Sequence, residues 1–301
     1  MSENFQPPTV EQIESLLARH PLRPPSQVAV WAPLLLFAAM MALVLLVGGV
    51  WGVLLPWAGL GAMFGYLVLR VRRAKLIDQR VTQAQELAML RHHDEALAMG
   101  WRLLPAAETT PGPYLRTMTL LGHCLEELKA YEAAIACFDR LLEMMPKDHP
   151  GTVHLRIHRA MAALGAERLL DADDALRQLR GTIRTYARTP VAALYRLAEL
   201  IQSVRTGHYD DPLADADTLL DDLRPLGIEA GYGHALLALC YHRARPDTGD
   251  SDTADPGSAN ASARDQHEQA RAWWRRATTL LSPEALVARF PELAVMEEAQ
   301  R

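Results

Sequence analysis

The chain has 301 residues, is rich in Ala and Leu with 6% aromatic residues, and carries a formal net charge of −5. The negative charge argues against nucleic acid as the main partner, because nucleic-acid-binding domains present a basic surface. The cysteines are far apart (Cys124, Cys137, Cys240) and form no CxxC pair, which argues against a zinc ribbon or a thioredoxin-like redox pair and suits free thiols in a reducing cytoplasm.

The N-terminal segment, residues 1–27, is predicted to hold one short amphipathic helix in the cytoplasm. Thr9 and Gln12 fit a capping box, which marks the start of a helix. Apolar residues then recur on one face, and a group of prolines ends the pattern. The apolar residues are Val10, Ile13, Leu16 and Leu17. The sequence leaves open whether this helix lies on a membrane surface or packs on the rest of the protein.

The run from Val28 to Leu69 is uncharged and almost wholly apolar. It has about 42 residues, about twice the 20 that one membrane crossing needs. Glycines cluster near its centre and predict a turn, because glycine interrupts helices. We therefore predict a two-helix transmembrane hairpin over 28–70, with spans near 28–48 and 53–70. The turn glycines are Gly48, Gly49 and Gly52.

Basic residues flank both ends of this run, whereas its central turn has no charge. Two arginines precede it, and five basic residues follow within a short distance: Arg70, Arg72, Arg73, Lys75 and Arg80. The positive-inside rule then places both termini in the cytoplasm. The predicted location is the cytoplasmic (inner) membrane, with two spans. Gly61 and Gly65 form a GxxxG pattern that would let two membrane helices approach closely.

Residues 115–148 carry the strongest motif of the remaining chain. Gly122 and Ala134 are twelve residues apart, Phe138 follows four later and Pro146 eight after that. Gly122 and Ala134 are small enough to let two antiparallel helices pack closely. Phe138 is expected to fill the gap to the next hairpin, and Pro146 ends the second helix. The segment resembles the 34-residue tetratricopeptide repeat (TPR) family, in a membrane-anchored bacterial type.

Four less regular helical hairpins flank this repeat, and a capping helix with Ser282 as N-cap follows them. We therefore predict a TPR-like α-solenoid of about five hairpins over 74–292, with a C-terminal tail at 293–301. The stretch 245–263 is rich in Asp, Gly, Ser and Pro, and is predicted to be a disordered insertion in the last hairpin. The flanking hairpins are expected at 77–105, 151–189, 191–224 and 231–281.

The resemblance implies a concave groove that is lined by the first helix of each hairpin. In the best repeat the groove positions are Arg116, Thr119, His123, Glu126 and Glu127; in the fourth they are Tyr195, Glu199, Gln202 and Ser203; in the fifth they are Tyr232, Leu239, His242 and Arg243. This lining is mixed in charge. A clamp for the carboxylate tails of chaperones would be strongly basic.

No motif predicts an active site, a metal or a cofactor. His154 and His158 share a helix face, but no further metal ligand accompanies them. The acidic run from Asp210 to Asp222 is explained by carboxylates near a helix N-terminus, with a cation or basic-partner site as the alternative. The Asp-rich insertion lacks the glycine and the final glutamate of a calcium loop.

These observations predict an all-α protein that is not an enzyme. The first hypothesis is a scaffold or adaptor that binds a protein or peptide in the groove and holds it at the membrane. The alternative is a structural subunit or assembly factor of a membrane-protein complex, with the hairpin as its interface. The predicted partners are a protein or peptide and the lipid bilayer, without nucleic acid, and with homo-oligomerisation as an option.

Overall fold

The computed structural model describes residues 6–23, 51–146, 149–244 and 256–299, and the isolated positions 35, 38, 39 and 42. At 51–59, 62 and 256–263 it describes the backbone alone. All regular elements in these parts are helices, so the all-α prediction is confirmed. The chain divides into two compact units, Met1–Met144 and Met145–Arg301, a boundary that the sequence did not predict.

The described residues of unit 1 form five helices: α1 Val10–Arg19, α2 Trp51–Met89, α3 His93–Ala107, α4 Pro111–Glu127 and α5 Tyr131–Met144. Two of the predicted hairpins are present, because α2 packs on α3 and α4 packs on α5. The first helices of the two hairpins, α2 and α4, also contact each other, as do α3 and α4. The hairpins of unit 1 are therefore stacked side by side.

The N-terminal helix α1 packs on α5, which answers the question that its sequence left open. The predicted capping box is present: Gln12 N donates to the Thr9 hydroxyl, and Thr9 N donates to the Gln12 side chain. Ile13, Leu16 and Leu17, which form the apolar face, are all buried. Burying this face is worth several kcal/mol, and it holds α1 on the helical body.

Two contacts fix the chain that follows α1. The Tyr114 hydroxyl of α4 donates to the His20 carbonyl oxygen at 2.9 Å, and Arg23 N donates to the Glu108 carbonyl oxygen at 2.9 Å. The His20 imidazole also contacts the Glu108 carboxylate. The segment after α1 is therefore joined to the end of α3 and the start of α4.

Helix α2 is continuous over 39 residues, or about 60 Å at 1.5 Å per residue. It runs without interruption through residues 70–74, where the sequence predicted the membrane hairpin to end and the helical body to begin. The first predicted span, 28–48, lies outside the described residues except at the four isolated positions. Among the described residues, no helix has the length and apolar character that a membrane crossing requires.

Where unit 2 is described, it contains nine α-helices: α6 Gly151–Gly165, α7 Leu169–Ile183, α8 Pro190–Thr206, α9 Asp211–Ala214, α10 Ala216–Leu223, α11 Ala230–Arg243, α12 Pro256–Leu280, α13 Pro283–Arg289 and α14 Ala294–Glu298. The pairs α6–α7, α8–α10 and α11–α12 pack together and match the last three predicted hairpins. A core of Ile157, Leu176, Leu179 and Tyr195 joins the first three long helices of this unit.

Two predicted boundaries in unit 2 need correction. Helix α12 begins at Pro256, so residues 256–263 are helical and not part of a disordered insertion; 245–255 lie outside the described residues. Proline at a first helical position and a following Ala-rich stretch favour that helix. The residues predicted as a tail are helical to Glu298, and Leu293 and Met296 are buried. The predicted capping helix is α13, where Ser282 accepts a hydrogen bond from Ala285 N at 3.3 Å.

Four helical hairpins close with the same left-handed turn. The backbone φ is 64° at Arg91, 61° at Lys129, 62° at Glu167 and 77° at Gly207. At each turn, the N–H of this residue bonds the carbonyl three residues back, and the next N–H bonds the carbonyl five residues back, as in a Schellman motif. The first three turns lie 38 residues apart, so the structural period exceeds the 34 residues of the predicted repeat.

Candidate functional site

The close helix contact predicted at Gly122 is present in unit 1. A Cβ atom on Gly122 would lie 2.7 Å from Cε1 of the Phe138 ring, which is fully buried. Ala134, which precedes Phe138 by one turn of α5, is also fully buried. The small residue on α4 and the aromatic ring on α5 therefore set the distance between these helices. The motif predicted the close approach at Gly122, whereas Phe138 was expected to fill the gap to the next hairpin and instead packs on Gly122.

The predicted groove residues of α4 have several different environments. Arg116 is bound to α2: its guanidinium donates to Asp78 at 2.5 Å, to Gln85 at 2.5 Å and to Thr82 at 3.1 Å. The Thr119 hydroxyl donates to the Leu115 carbonyl within its own helix.

The other three predicted residues of α4 differ in burial. Glu126 is buried, and the half-buried His123 ring lies edge-on to Phe138 at 5.8 Å; only Glu127 is exposed. These side chains do not form one open binding face.

The groove prediction also needs correction on α8 and α11. Tyr195 is buried, and its hydroxyl donates to the Leu176 carbonyl at 3.3 Å. Burial raises the pKa of Tyr195 to about 12, with Glu199 adding to the effect. Leu239 is buried because α11 is surrounded on nearly all sides, and the Tyr232 ring packs edge-on against Phe290 at 5.7 Å. The resemblance assigned these positions to an open face, whereas this helix lies in the core of unit 2.

The end of α11 is more accessible. His242 is half-buried, and Arg243 is exposed. Burial lowers the pKa of His242, with smaller contributions from Arg243 and His267. The His242 and His267 rings lie 6.4 Å apart.

Three of the predicted groove residues do line a common cavity. It is a cleft of about 580 Å³ within unit 2, bounded by α7, α8 and the α9–α10 segment. Its size falls in the range of small-ligand and peptide-side-chain pockets. We name it the α8 cleft. From the predicted groove it contains Glu199, Gln202 and Ser203.

Most charged residues of the α8 cleft were not predicted from sequence. It contains five carboxylates and two guanidinium groups, so carboxylates are in excess: Asp173, Glu199, Asp211, Asp215 and Asp222, with Arg180 and Arg196. Three of the carboxylates belong to the acidic run whose helix-dipole explanation the sequence favoured. The acidic run could have indicated these three carboxylates as part of a site. The residues of α7 and α8 that line the same cleft are distant from it in the chain.

An ion-pair network occupies one side of the α8 cleft. Arg196 contacts Glu199 at 2.9 Å and Asp222 at 3.2 Å, and Arg180 reaches Glu199 at 3.8 Å. Burial acts to lower the pKa of Arg196, but the bonds to both carboxylates outweigh it and raise that pKa. The amide of Gln202 donates to Asp173 at 2.8 Å. This side of the cleft is therefore internally neutralised.

The other side of the α8 cleft has two carboxylates outside this network. Asp211 and Asp215 are exposed, and neither makes an ion pair within the described residues. A ligand with ammonium or guanidinium groups would complement this side.

Two histidines on α6, His154 and His158, share a helix face, as their spacing predicted. The rings of His154 and His158 lie edge to face, with their centroids 4.5 Å apart. Burial lowers the pKa of His158 well below its ordinary value, and His154 and Arg289 add to the effect. The sequence favoured exposed or groove histidines over a metal site; both side chains are half-buried, and a neutral imidazole at ordinary pH fits their ring packing.

Comparison of the chain with protein-family models, with curated proteins and with solved structures found no match.

Proposed function

We propose that this protein is a membrane-anchored scaffold of TPR-like helical hairpins, which binds a protein or peptide partner at the cytoplasmic face of the membrane. The transmembrane hairpin over 28–70 is the anchor, and both termini are cytoplasmic. Anchoring would raise the local concentration of whatever the helical body binds.

The change of environment along α2 is the observation that carries the proposal. Large apolar side chains between Leu60 and Val71 are exposed, among them Phe64 at 66% and Leu69 at 60%. Within about two turns after the exposed Leu76, the environment changes: Val81 and Ala84 are fully buried in unit 1. A helix that is apolar on all sides needs an apolar surrounding, and the uncharged run of the sequence supports a bilayer as that surrounding.

The α8 cleft supports a partner-binding role. It combines an open cavity with two carboxylates, Asp211 and Asp215, that make no ion pair with the described residues. The complementary partner is a segment with Lys or Arg side chains. Charge complementarity between such a partner and the cleft would contribute more to specificity and to the association rate than to affinity.

The test compares two double variants of the full chain. Asp211→Asn with Asp215→Asn removes the unpaired carboxylates of the cleft, whereas Asp217→Asn with Asp221→Asn removes two exposed carboxylates of the same region that do not line it. After cross-linking in intact membranes, we expect a captured partner to be lost with the first variant and kept with the second.

Equal capture by the wild-type chain and both variants would contradict the assignment of the cleft. Loss with both variants would indicate general charge attraction. Extraction of the wild-type chain from membranes by alkaline carbonate would contradict the anchor.

A second candidate is a structural subunit or assembly factor that uses the hairpin as its interface. It is favoured by Gly61 and Gly65, where an added Cβ would meet no described atom within 4 Å. Gly61→Ile with Gly65→Ile should then release the protein from a larger complex in native gels. Leu60→Ile is the control, because it changes the residue next to Gly61 without adding volume. It should leave the complex intact.

A further inference from the structure

A cluster of basic side chains lies on α2 at the end of its exposed apolar part. The five residues are all exposed, and none makes a hydrogen bond or ion pair with the described residues: Arg70, Arg72, Arg73, Lys75 and Arg80. We name them the α2 collar. The one acidic residue among them, Asp78, is bound to Arg116. The collar charge is therefore not neutralised within the described protein.

The collar covers more than half of the helix circumference. Successive residues advance by about 100° around an α-helix, which distributes these five positions over about 220° and leaves a gap of about 140° between Arg70 and Lys75. A helix lying flat on a membrane would carry its basic residues on one face. The distribution fits a helix that passes through a charged layer at a steep angle.

The length of the collar fits one lipid headgroup layer. Arg70 and Lys75 are separated by about 8 Å along the helix axis. The headgroup region on each side of a bilayer is about 5–8 Å thick. Arg80 is about 15 Å from Arg70, which leaves it within about one Debye length of that layer. The first fully buried side chain among the described residues of α2 is Val81, immediately beyond.

We propose that the α2 collar binds the headgroups of anionic phospholipids on the cytoplasmic leaflet. This inference rests on the proposed membrane anchor and adds the lipid class. Five unpaired cations complement a surface of phosphate groups, and each basic residue near such a surface strengthens binding by about fivefold. The apolar residues before the collar and the overall negative charge favour a lipid surface over nucleic acid.

The test reconstitutes the full chain into vesicles of phosphatidylcholine with a minority of phosphatidylglycerol. The protein is then solubilised in mild detergent, and mass spectrometry measures the ratio of the two retained lipids. We expect several-fold enrichment of phosphatidylglycerol over the vesicle ratio, and a loss of this enrichment at high salt.

Two variants with the same change in charge locate the effect. Replacing all five collar residues by Gln should abolish the enrichment. The control replaces five exposed arginines of unit 2 by Gln and should keep it: Arg184, Arg224, Arg264, Arg271 and Arg275. Equal enrichment by the wild-type chain and the collar variant would overturn the proposal. So would equal loss in the control, or nucleic acid that co-purifies with the wild-type chain and not with the collar variant.

Alkaline carbonate extraction of the same vesicles separates this proposal from the proposed function. A protein that resists extraction but shows no lipid preference has the anchor and lacks the headgroup site. A protein that is extracted yet prefers phosphatidylglycerol has the collar interaction and lacks the membrane-spanning anchor.

Discussion

The two units bring helices close together in different ways. In unit 1, Gly122 faces the rigid ring of Phe138, and a Cβ atom would lie 2.7 Å from it. In unit 2, Gly233 faces Leu223, whose terminal methyl would lie 2.3 Å away. An aromatic ring that is fully buried cannot move aside, whereas the end of a leucine side chain has other rotamers. The shorter distance is therefore not the stricter constraint.

The largest expected effect comes from disrupting the contact between α4 and α5 in unit 1. Gly122→Leu should destabilise unit 1 by about 1–3 kcal/mol or more, because the new side chain overlaps a buried ring. Urea denaturation followed by circular dichroism measures the loss. Gly112→Leu on the same helix is the control, since a Cβ atom there meets nothing within 4 Å. An unchanged unfolding midpoint for Gly122→Leu would contradict the packing described for α4 and α5.

A smaller effect is expected where unit 2 uses glycine for its backbone conformation. Gly207→Ala should cost about 1–2 kcal/mol, because a left-handed conformation is strained for a residue with a Cβ atom. Gly181→Ala, at a helical glycine with open space around it, should be neutral or stabilising. If both variants unfold at the same urea concentration, the left-handed turn at Gly207 is not present in solution.

A buried histidine of unit 2, His234, should make the stability of that unit depend on pH. It is buried on α11, its Nδ1 has no hydrogen-bond partner among the described residues, and Trp273 and Arg276 of α12 lie beside it. Burial lowers its pKa, and the charge of Arg276 lowers it further.

The sign of the pH effect follows from that lowered pKa. Below the ordinary pKa of about 6.5, the unfolded chain binds a proton that the folded chain does not. Stability should therefore fall as the pH is lowered from about 7.5 to about 5.5, the range over which histidines titrate. His234→Leu should reduce this pH dependence, whereas His267→Gln, at an exposed position, should retain it. A wild-type slope in His234→Leu would show that other groups cause the acid effect.

The sequence was sufficient for the helical hairpins because their signals are local. Gly122 and Ser282 act through neighbours within one hairpin or one helix turn, and each has the predicted contact. Phe138, which was expected to fill the gap to the next hairpin, packs on Gly122 within its own hairpin. The groove was predicted less well, because the orientation of a helix depends on what covers it. Tyr195 and Leu239 are buried by helices that a single repeat does not reveal.

The α8 cleft could not be predicted for a related reason. Asp173 and Asp222 are 49 positions apart in the chain, and only the packing of α7, α8 and α10 places them around one cavity. The boundary between the units after Met144 was also missed, because the closing proline of the motif looked like the end of one repeat among several.

The smallest expected effect has the opposite sign and uses the turn of unit 1 that corresponds to Gly207. Lys129 has the same left-handed conformation with a side chain present. Lys129→Gly should stabilise unit 1 by about 0.5–1 kcal/mol, because removing the Cβ atom relieves steric strain at a helix C-cap, partly offset by the greater freedom of glycine in the unfolded chain. Lys129→Ala removes the same charge but keeps the Cβ atom, and should give no gain. Equal midpoints of the two variants in urea would mean that charge, and not the backbone conformation, determines stability at this turn.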